Sequence, residues 1–139
     1  MLKIRPATEK DSHYICEMNK SAFGYEYPEE KTKERLKYII NRQSDKIWVA
    51  CEGDLVVGYI HGTDYECTYS DSLKNIMAIA VDEKYRGRGI GKQLLMAVEQ
   101  WAKDDILLEF GLCQALTEKK HTNFIAIVVI HIEKTKRIL

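Results

Sequence analysis

Three glycines and three basic residues are interleaved in the segment YRGRGIGKQLL, which runs from Tyr85 to Leu95. The glycines are Gly87, Gly89 and Gly91, and the basic residues are Arg86, Arg88 and Lys92. Glycine has no Cβ atom, so its backbone can approach a ligand closely. A helix pattern follows, and the first turn of a helix offers unpaired N–H groups and a partial positive charge. The segment therefore predicts an anion site, and a phosphate or pyrophosphate is the ligand that fits.

Two familiar phosphate-binding patterns do not fit this segment. A Walker loop has a glycine separated by four residues from Gly-Lys-Ser/Thr, but Arg86 stands at that position and Gln93 replaces the hydroxyl residue. A dinucleotide fingerprint counted from Gly87 would require its third glycine at Lys92. A surface turn whose basic residues only keep it hydrated stays the alternative to an anion site.

The composition indicates a single domain and excludes several function classes. The 139 residues suffice for one hydrophobic core, and 21 basic residues balance 21 acidic ones, which is not typical of a nucleic-acid binder. No apolar run reaches membrane-spanning length and no signal core follows Met1, so we expect a cytoplasmic protein without a membrane partner. Four scattered cysteines predict mostly buried thiols rather than disulfides or a metal site: Cys16, Cys51, Cys67 and Cys113.

The apolar pattern of residues 1–102 predicts one strand, two helices, three strands, a glycine loop (residues 82–91) and a further helix. We expect the strands at residues 3–5, 47–51, 55–61 and 76–81, with a polar connection at 63–75. The predicted helical core positions include Ile15, Met18, Leu36, Ile39 and Leu94. This order indicates an α+β domain with layered helices and a mainly antiparallel sheet.

Residues 76–102, IMAIAVDEKYRGRGIGKQLLMAVEQWA, resemble the acetyl-CoA-binding core of the GNAT family of N-acetyltransferases. Residues 86–91 match the family motif Q/R-x-x-G-x-G/A, and the order of elements over residues 1–102 agrees as well. The resemblance implies the GNAT fold, with a mixed, mainly antiparallel central sheet flanked by helices, in one domain over residues 1–139.

The resemblance also implies how the cosubstrate acetyl-CoA is held. The N–H groups of residues 87–92 would bind its pyrophosphate, and the end of the fourth strand would pair with the pantetheine arm like an added strand. One N–H group of that strand would polarise the thioester carbonyl, as an oxyanion hole does. The implied binding residues are Ile79, Ala80, Val81, Arg86, Gly87, Arg88, Gly89, Ile90, Gly91 and Lys92.

Transfer to an amine also requires a base, because a free alkylamine has a pKa of about 10 and attacks only when neutral. The candidates lie around the end of the third strand: His61, Asp64, Tyr65 and Glu66. The family often uses a carboxylate here, so Glu66 ranks first and His61 second. A solvated loop charge and a structural histidine are the alternative interpretations of these two residues.

Tyr25 and Tyr27 lie between the first two helices, where the family shapes its acceptor pocket. Packing beside Pro28 is the alternative role for both rings. The resemblance implies direct transfer in a ternary complex, to a small-molecule or peptide amine that the sequence does not identify.

The resemblance stops near Asp105, and residues 106–139 form a divergent tail that contains no tyrosine. In the family, a tyrosine from this region commonly protonates the departing thiolate. Back-translation of this region, with a choice among synonymous codons, gives bases that can be read in the frame that starts at the third base of each codon. In that frame residues 120–126 can encode Ala-His-Glu-Phe-Tyr-Arg, and residues 129–130 can encode Gly-Tyr. The family would have these elements here. We hypothesise a frameshift near residues 104–106, which the nucleotide sequence would test, and a genuine divergent terminus is the alternative.

The tail makes a catalytically impaired acyl-CoA binder the main alternative to an active N-acetyltransferase. A nucleotide-binding module that uses the same loop is a third possibility. Residues 106–112 and 124–132 have strand-forming composition. Because the second run is long and hydrophobic, it would make an edge that pairs with another chain, so we expect a homodimer.

Overall fold

The computed structural model describes residues 1–69 and 72–110, with side chains up to Asp105. These residues form four strands and three helices, and short 3₁₀ turns lie at Glu9–Asp11 and Glu83–Tyr85. In chain order the elements are β1 (Leu2–Pro6), α1 (Ser12–Phe23), α2 (Glu29–Ile40), β2 (Asp45–Glu52), β3 (Leu55–Tyr65), β4 (Leu73–Val81) and α3 (Ile90–Phe110). The predicted α+β architecture and the order of its elements are confirmed.

The strands form one sheet in the order β1-β2-β3-β4, and all neighbours are antiparallel. α3 covers one face, where the buried residues include Val57, Ile60, Ile79, Leu94 and Val98. α1 and α2 cover the other face, where they include Ile15, Met18, Leu36, Val49 and Tyr59. Because the sheet is covered on both faces, β3 and β4 are apolar at most positions.

Two glycines of β3 bring α3 close to the sheet. A Cβ atom at Gly58 would lie 3.2 Å from Leu94 Cδ1 and 3.3 Å from Ile90 Cγ2, and one at Gly62 would lie 3.2 Å from the Trp101 ring. These distances are tighter than ordinary van der Waals contact, so side chains at positions 58 and 62 would push the helix outward. The glycines thereby set the position of the first turn of α3.

The polar connection predicted at residues 63–75 is shorter than expected. β3 continues to Tyr65 and β4 begins at Leu73, because polar residues continue the ladder. Buried Lys74 donates to Asp64 on β3 and to Asp105 on α3, and its Nζ lies 3.9 Å from the centroid of the Trp101 ring. A lysine satisfied by two carboxylates can stay buried at a strand position that its charge would otherwise disfavour.

Residues 106–110 have a composition that suits a strand, but α3 continues through them to Phe110. Residues 106–110 contain neither glycine nor proline, so nothing in their sequence ends the preceding helix. The strand predicted at 124–132 lies outside the described residues. Within the described ranges, no helix has the length and apolarity needed to cross a bilayer.

The packing of α3 gives a first prediction. Leu94 is fully buried against the sheet, whereas Met96 on the same helix is 56% exposed. Truncation of a buried leucine leaves a cavity, so Leu94→Ala should lower the free energy of unfolding by about 2–5 kcal/mol. Met96→Ala should change it by no more than about 0.5 kcal/mol. Urea unfolding followed by circular dichroism checks both values, and equal losses would contradict this packing.

Candidate functional site

The turn that connects β4 to α3 is held by backbone hydrogen bonds at Asp82. The Asp82 N–H donates to the Val57 carbonyl at 2.7 Å, which fixes the end of β4 against β3. The Asp82 side chain accepts from the N–H of Lys84 at 2.9 Å, and its carbonyl accepts from the N–H of Tyr85 at 2.9 Å. The chain therefore leaves the sheet in a defined 3₁₀ turn before the glycines.

Gly87 and Gly89 adopt a backbone conformation that other residues disfavour. Their φ angles are +79° and +80°, in the left-handed region that costs a residue with a Cβ atom roughly 1–2 kcal/mol. A Cβ atom at either position would have no atom within 4 Å. The glycines are thus required by the shape of the loop, and the space above them is open for a ligand.

The first turn of α3 directly follows Gly89. The first hydrogen bond of the helix runs from the N–H of Gln93 to the carbonyl of Gly89, at 3.1 Å. No described residue accepts a hydrogen bond from the N–H groups of residues 87–92. Six adjacent amides at the positive end of a helix therefore have no acceptor among the described residues, beside the open space at Gly87 and Gly89, which is an arrangement that binds anions.

The basic residues of the loop have different surroundings. Arg86 Nε donates to the Val81 carbonyl at 3.1 Å, so the Arg86 guanidinium holds the loop against the end of β4. The Arg88 guanidinium lies 5.0 Å from the centroid of the Tyr85 ring and, like Lys92, is exposed. Ile90 is buried, so only its backbone can contribute to the site. Arg88 and Lys92 are the side chains that can add positive charge for a ligand.

β4 forms the edge of the sheet within the described residues. Ile79, Ala80 and Val81 are buried, so their side chains offer no free surface to a ligand. An edge strand turns alternate N–H and C=O groups away from its neighbour.

A β-bulge interrupts the pairing of β4 with β3 at Met77. His61 pairs with Ala78, and Gly62 pairs with Ile76, so Met77 between them has no partner on β3. A bulge leaves the backbone of the extra residue outside the ladder. The Met77 side chain is exposed. No pattern in the sequence indicated this bulge.

The structure separates the two candidate bases. His61 lies on β3 opposite Ala78, next to the bulge, with its side chain 15% exposed. Glu66 is the first residue after β3, is exposed, and accepts a hydrogen bond from the hydroxyl of Ser72. Tyr65, the residue before Glu66, pairs with Leu73 of β4. Leu73 is five residues from Ala78 along β4, which corresponds to about 16 Å at about 3.3 Å per residue. His61 is therefore much nearer to the glycine loop than Glu66.

Asp45, the first residue of β2, contacts His61 and was not singled out from the sequence. Its carboxylate lies 2.7 Å from His61 Nε2 and is buried, with 4% of the side chain exposed. Burial acts most strongly and opposes ionisation, but hydrogen bonds from Ser44 and His61 and the charge of Arg42 outweigh it and hold the pKa of Asp45 below its usual value. Asp45 is therefore a carboxylate in the folded protein.

Residues 12–127 match the sequence model of the Acetyltransferase (GNAT) family, which is most of the chain. The chain belongs to the GNAT family of acetyltransferases. The match extends beyond residue 105, into the tail that departs from the motifs of the family. No curated protein matches the sequence.

Solved acetyltransferase structures share the fold. A GNAT acetyltransferase from Staphylococcus aureus superposes with a TM-score of 0.65 at 21% identity, over 74% of this chain and 78% of that one. AAC(6')-Iy, solved with the bisubstrate analogue CoA-S-monomethyl-acetylneamine, gives 0.64 at 18% identity, over 76% and 74%. An aminoglycoside acetyltransferase from an uncultured soil metagenomic sample, solved with sisomicin, gives 0.59 at 28% identity, over 72% and 68%.

In this GNAT domain, Tyr25 and Tyr27 lie on the exposed segment between α1 and α2, on the side of the sheet that these helices cover. Their side chains are 64% and 47% exposed. The Tyr25 ring lies 5.7 Å from the Phe23 ring, and the Tyr27 carbonyl accepts from the Cys16 thiol at 3.3 Å. Both rings are thus open to solvent rather than packed in the core.

The conformation of Gly89 gives a second prediction. Gly89→Ala should weaken coenzyme A binding at least tenfold, because alanine resists the left-handed conformation and the amide array loses its alignment. Gly53→Ala is the matched control, since Gly53 also has a positive φ with open space around it but lies in the β2–β3 turn. Isothermal titration calorimetry measures both variants. Unchanged binding by Gly89→Ala would show that this loop does not hold the coenzyme.

Proposed function

We propose that this chain transfers the acetyl group of acetyl-CoA to a primary amine, by direct transfer in a ternary complex. The observation that carries the proposal is the set of amides at residues 87–92, at the junction of β4 and α3, to which no described residue offers an acceptor. Membership of an acetyltransferase family makes a diphosphate of coenzyme A the natural ligand for them.

The residues of the loop fit this ligand. The amides of residues 87–92 would hydrogen-bond the pyrophosphate oxygens, and Arg88 and Lys92 would add charge from exposed positions. Arg86 would act through its bond to the Val81 carbonyl, which keeps the loop in place. The outer edge of β4, at residues 79–81, would pair with the amide groups of the pantetheine arm, as an added strand does.

The bulge at Met77 supports a position for the thioester. Its backbone lies outside the ladder, in the middle of the edge that the pantetheine arm would follow. An unpaired N–H near Met77 or Ala78 would donate to the carbonyl oxygen of the thioester and stabilise negative charge that develops there. This proposal moves the oxyanion donor a short distance along β4 from residues 79–81.

We propose His61 rather than Glu66 as the base. His61 lies opposite Ala78 and beside the bulge, whereas Glu66 lies beyond the far end of β4. A general base must reach the proton that it removes, directly or through one water, so position decides between the two. A neutral imidazole near the thioester can accept the proton that an ammonium group must lose before attack.

The acceptor is proposed to be a small-molecule amine in preference to a peptide N-terminus. Tyr25 and Tyr27 would border its binding site, because both rings are exposed at the end of α1, which packs on the face of the sheet that carries Tyr59. His61 lies two residues after Tyr59 on β3, so its side chain is on the same face. An aromatic face attracts an ammonium group, so the rings can hold the amine before it loses a proton. The homodimer and the cytoplasmic location predicted from the sequence stay predictions.

A catalytically impaired acyl-CoA binder is the second candidate function, and one observation favours it. Residues 106–139 contain no tyrosine to protonate the departing thiolate. The loop that would bind the coenzyme lies wholly before this segment. Binding of acetyl-CoA without thiol release for any amine would therefore support the second candidate, and binding of ATP without coenzyme A would support a nucleotide-binding module.

Replacement of the two candidate bases gives a third prediction. In a thiol-release assay over a panel of amines, His61→Gln should lower kcat/KM by about 10²-fold or more, because a neutral amide cannot accept the proton. Glu66→Gln should change kcat/KM less than about threefold, because exposed Glu66 lies beyond the far end of β4. Coenzyme A binding should be unchanged in both variants. A large loss in Glu66→Gln with little effect in His61→Gln would reverse the assignment.

A further inference from the structure

A buried hydrogen-bond network surrounds the carboxylate of Asp45. Asp45 Oδ2 lies 2.7 Å from His61 Nε2. The other oxygen, Oδ1, accepts from the Ser44 hydroxyl at 2.6 Å and lies 3.5 Å from Arg42 Nε. Each carboxylate oxygen therefore has its own partners, and the oxygen that faces His61 is left to the imidazole alone.

The ionisation of Asp45 determines which ring nitrogen of His61 carries hydrogen. A carboxylate can only accept hydrogen bonds, so the 2.7 Å contact requires a hydrogen on Nε2. In the neutral imidazole the other nitrogen, Nδ1, then has a free lone pair. No described residue makes a hydrogen bond with Nδ1.

Asp45 is the charged partner of the His61 ring. Arg42 reaches Asp45 Oδ1 and not the imidazole. Asp45 of β2 is the one ionisable side chain that contacts His61 within the described ranges, and none from α1, α2 or β4 does so. The carboxylate of Asp45 is therefore the charge that acts most directly on His61.

The loop that carries Ser44 is also fixed by bonds that do not involve Asp45. The Ser44 carbonyl accepts from the N–H of Asp64 at 2.7 Å and from the Thr63 hydroxyl at 3.4 Å. The backbone of this corner is thus anchored to β3 independently. The loop before β2 therefore does not need the buried carboxylate of Asp45 in order to stay attached to β3.

We propose that Asp45 is a positioning residue, which holds His61 with hydrogen on Nε2 so that Nδ1 takes the proton of the acceptor ammonium. This inference rests on the proposed transferase function. Asp45 would also stabilise the imidazolium that forms, since an opposite charge in contact favours the protonated ring.

The proton balance of the step is complete without a further reactant. Of the three protons of the acceptor ammonium, one passes to His61 Nδ1, one goes to the sulfur and one stays on the amide nitrogen. The amine nitrogen bonds to the carbonyl carbon, and the C–S bond breaks with its electron pair on sulfur. His61 then releases its proton to water and returns to the neutral form.

Asp45→Asn tests this role. We expect kcat/KM to fall by about 10²-fold or more, because the amide can also present its NH₂ group and favour the wrong tautomer. Asp54→Asn in the exposed β2–β3 turn is the matched control, and its kcat/KM should equal the wild-type value.

The ring tautomer supplies a readout that needs no turnover. Long-range ¹H–¹⁵N NMR of the wild-type histidines at pH 8 should show hydrogen on Nε2 of His61, and Asp45→Asn should show a mixture or the other tautomer. Hydrogen on Nδ1 in the wild type, or an unchanged kcat/KM in Asp45→Asn, would overturn the proposal. If no amine is turned over, the transferase function fails separately, and the wild-type tautomer alone decides whether Asp45 positions His61.

Discussion

The structure depends on one constraint, which is that the first turn of α3 must lie at the end of β4 with N–H groups that bond to no described residue. The helix reaches this position because Gly58 and Gly62 allow it to pack closely on β3. Buried Leu94 and Val98 then fix it against the sheet. Without this packing, the basic side chains of the loop and the N–H groups of the helix would not converge on one position. A helix N-terminus attracts anions only over about its first turn, so its placement decides where an anion binds.

The proposed coenzyme site and the proposed base lie at different positions along β4. α3 and the glycine loop lie at one end of β4, where a diphosphate would bind, and His61 lies opposite the middle of the same strand. β4 is therefore the element that both halves share, and the bulge at Met77 lies where they meet. A rigid strand between the two sites fixes the distance from the diphosphate to the reacting carbonyl, as direct transfer requires.

The sequence predicted the elements whose patterns are local. The anion-binding loop and the family were predicted from three adjacent features: the apolar run at residues 76–81, the glycines after it and the apolar stripe of the following helix. The start of β4 was predicted too late, because Lys74 is charged. Its burial depends on Asp64 and on Asp105, which is 31 residues away in the sequence. The contact of His61 with Asp45 and the bulge at Met77 follow from strand register, which a single sequence does not display. Residues 106–110 have a composition that suits both strand and helix, and the helix that precedes them decided the outcome.

The most direct test of the account is a titration of backbone amides by ¹H–¹⁵N NMR with three ligands: coenzyme A, ADP, which keeps the diphosphate, and pantetheine, which lacks it. The account predicts that the amides of residues 87–92 shift most with coenzyme A, shift similarly with ADP, and hardly move with pantetheine. Binding of coenzyme A that leaves these amides unmoved would contradict the central claim.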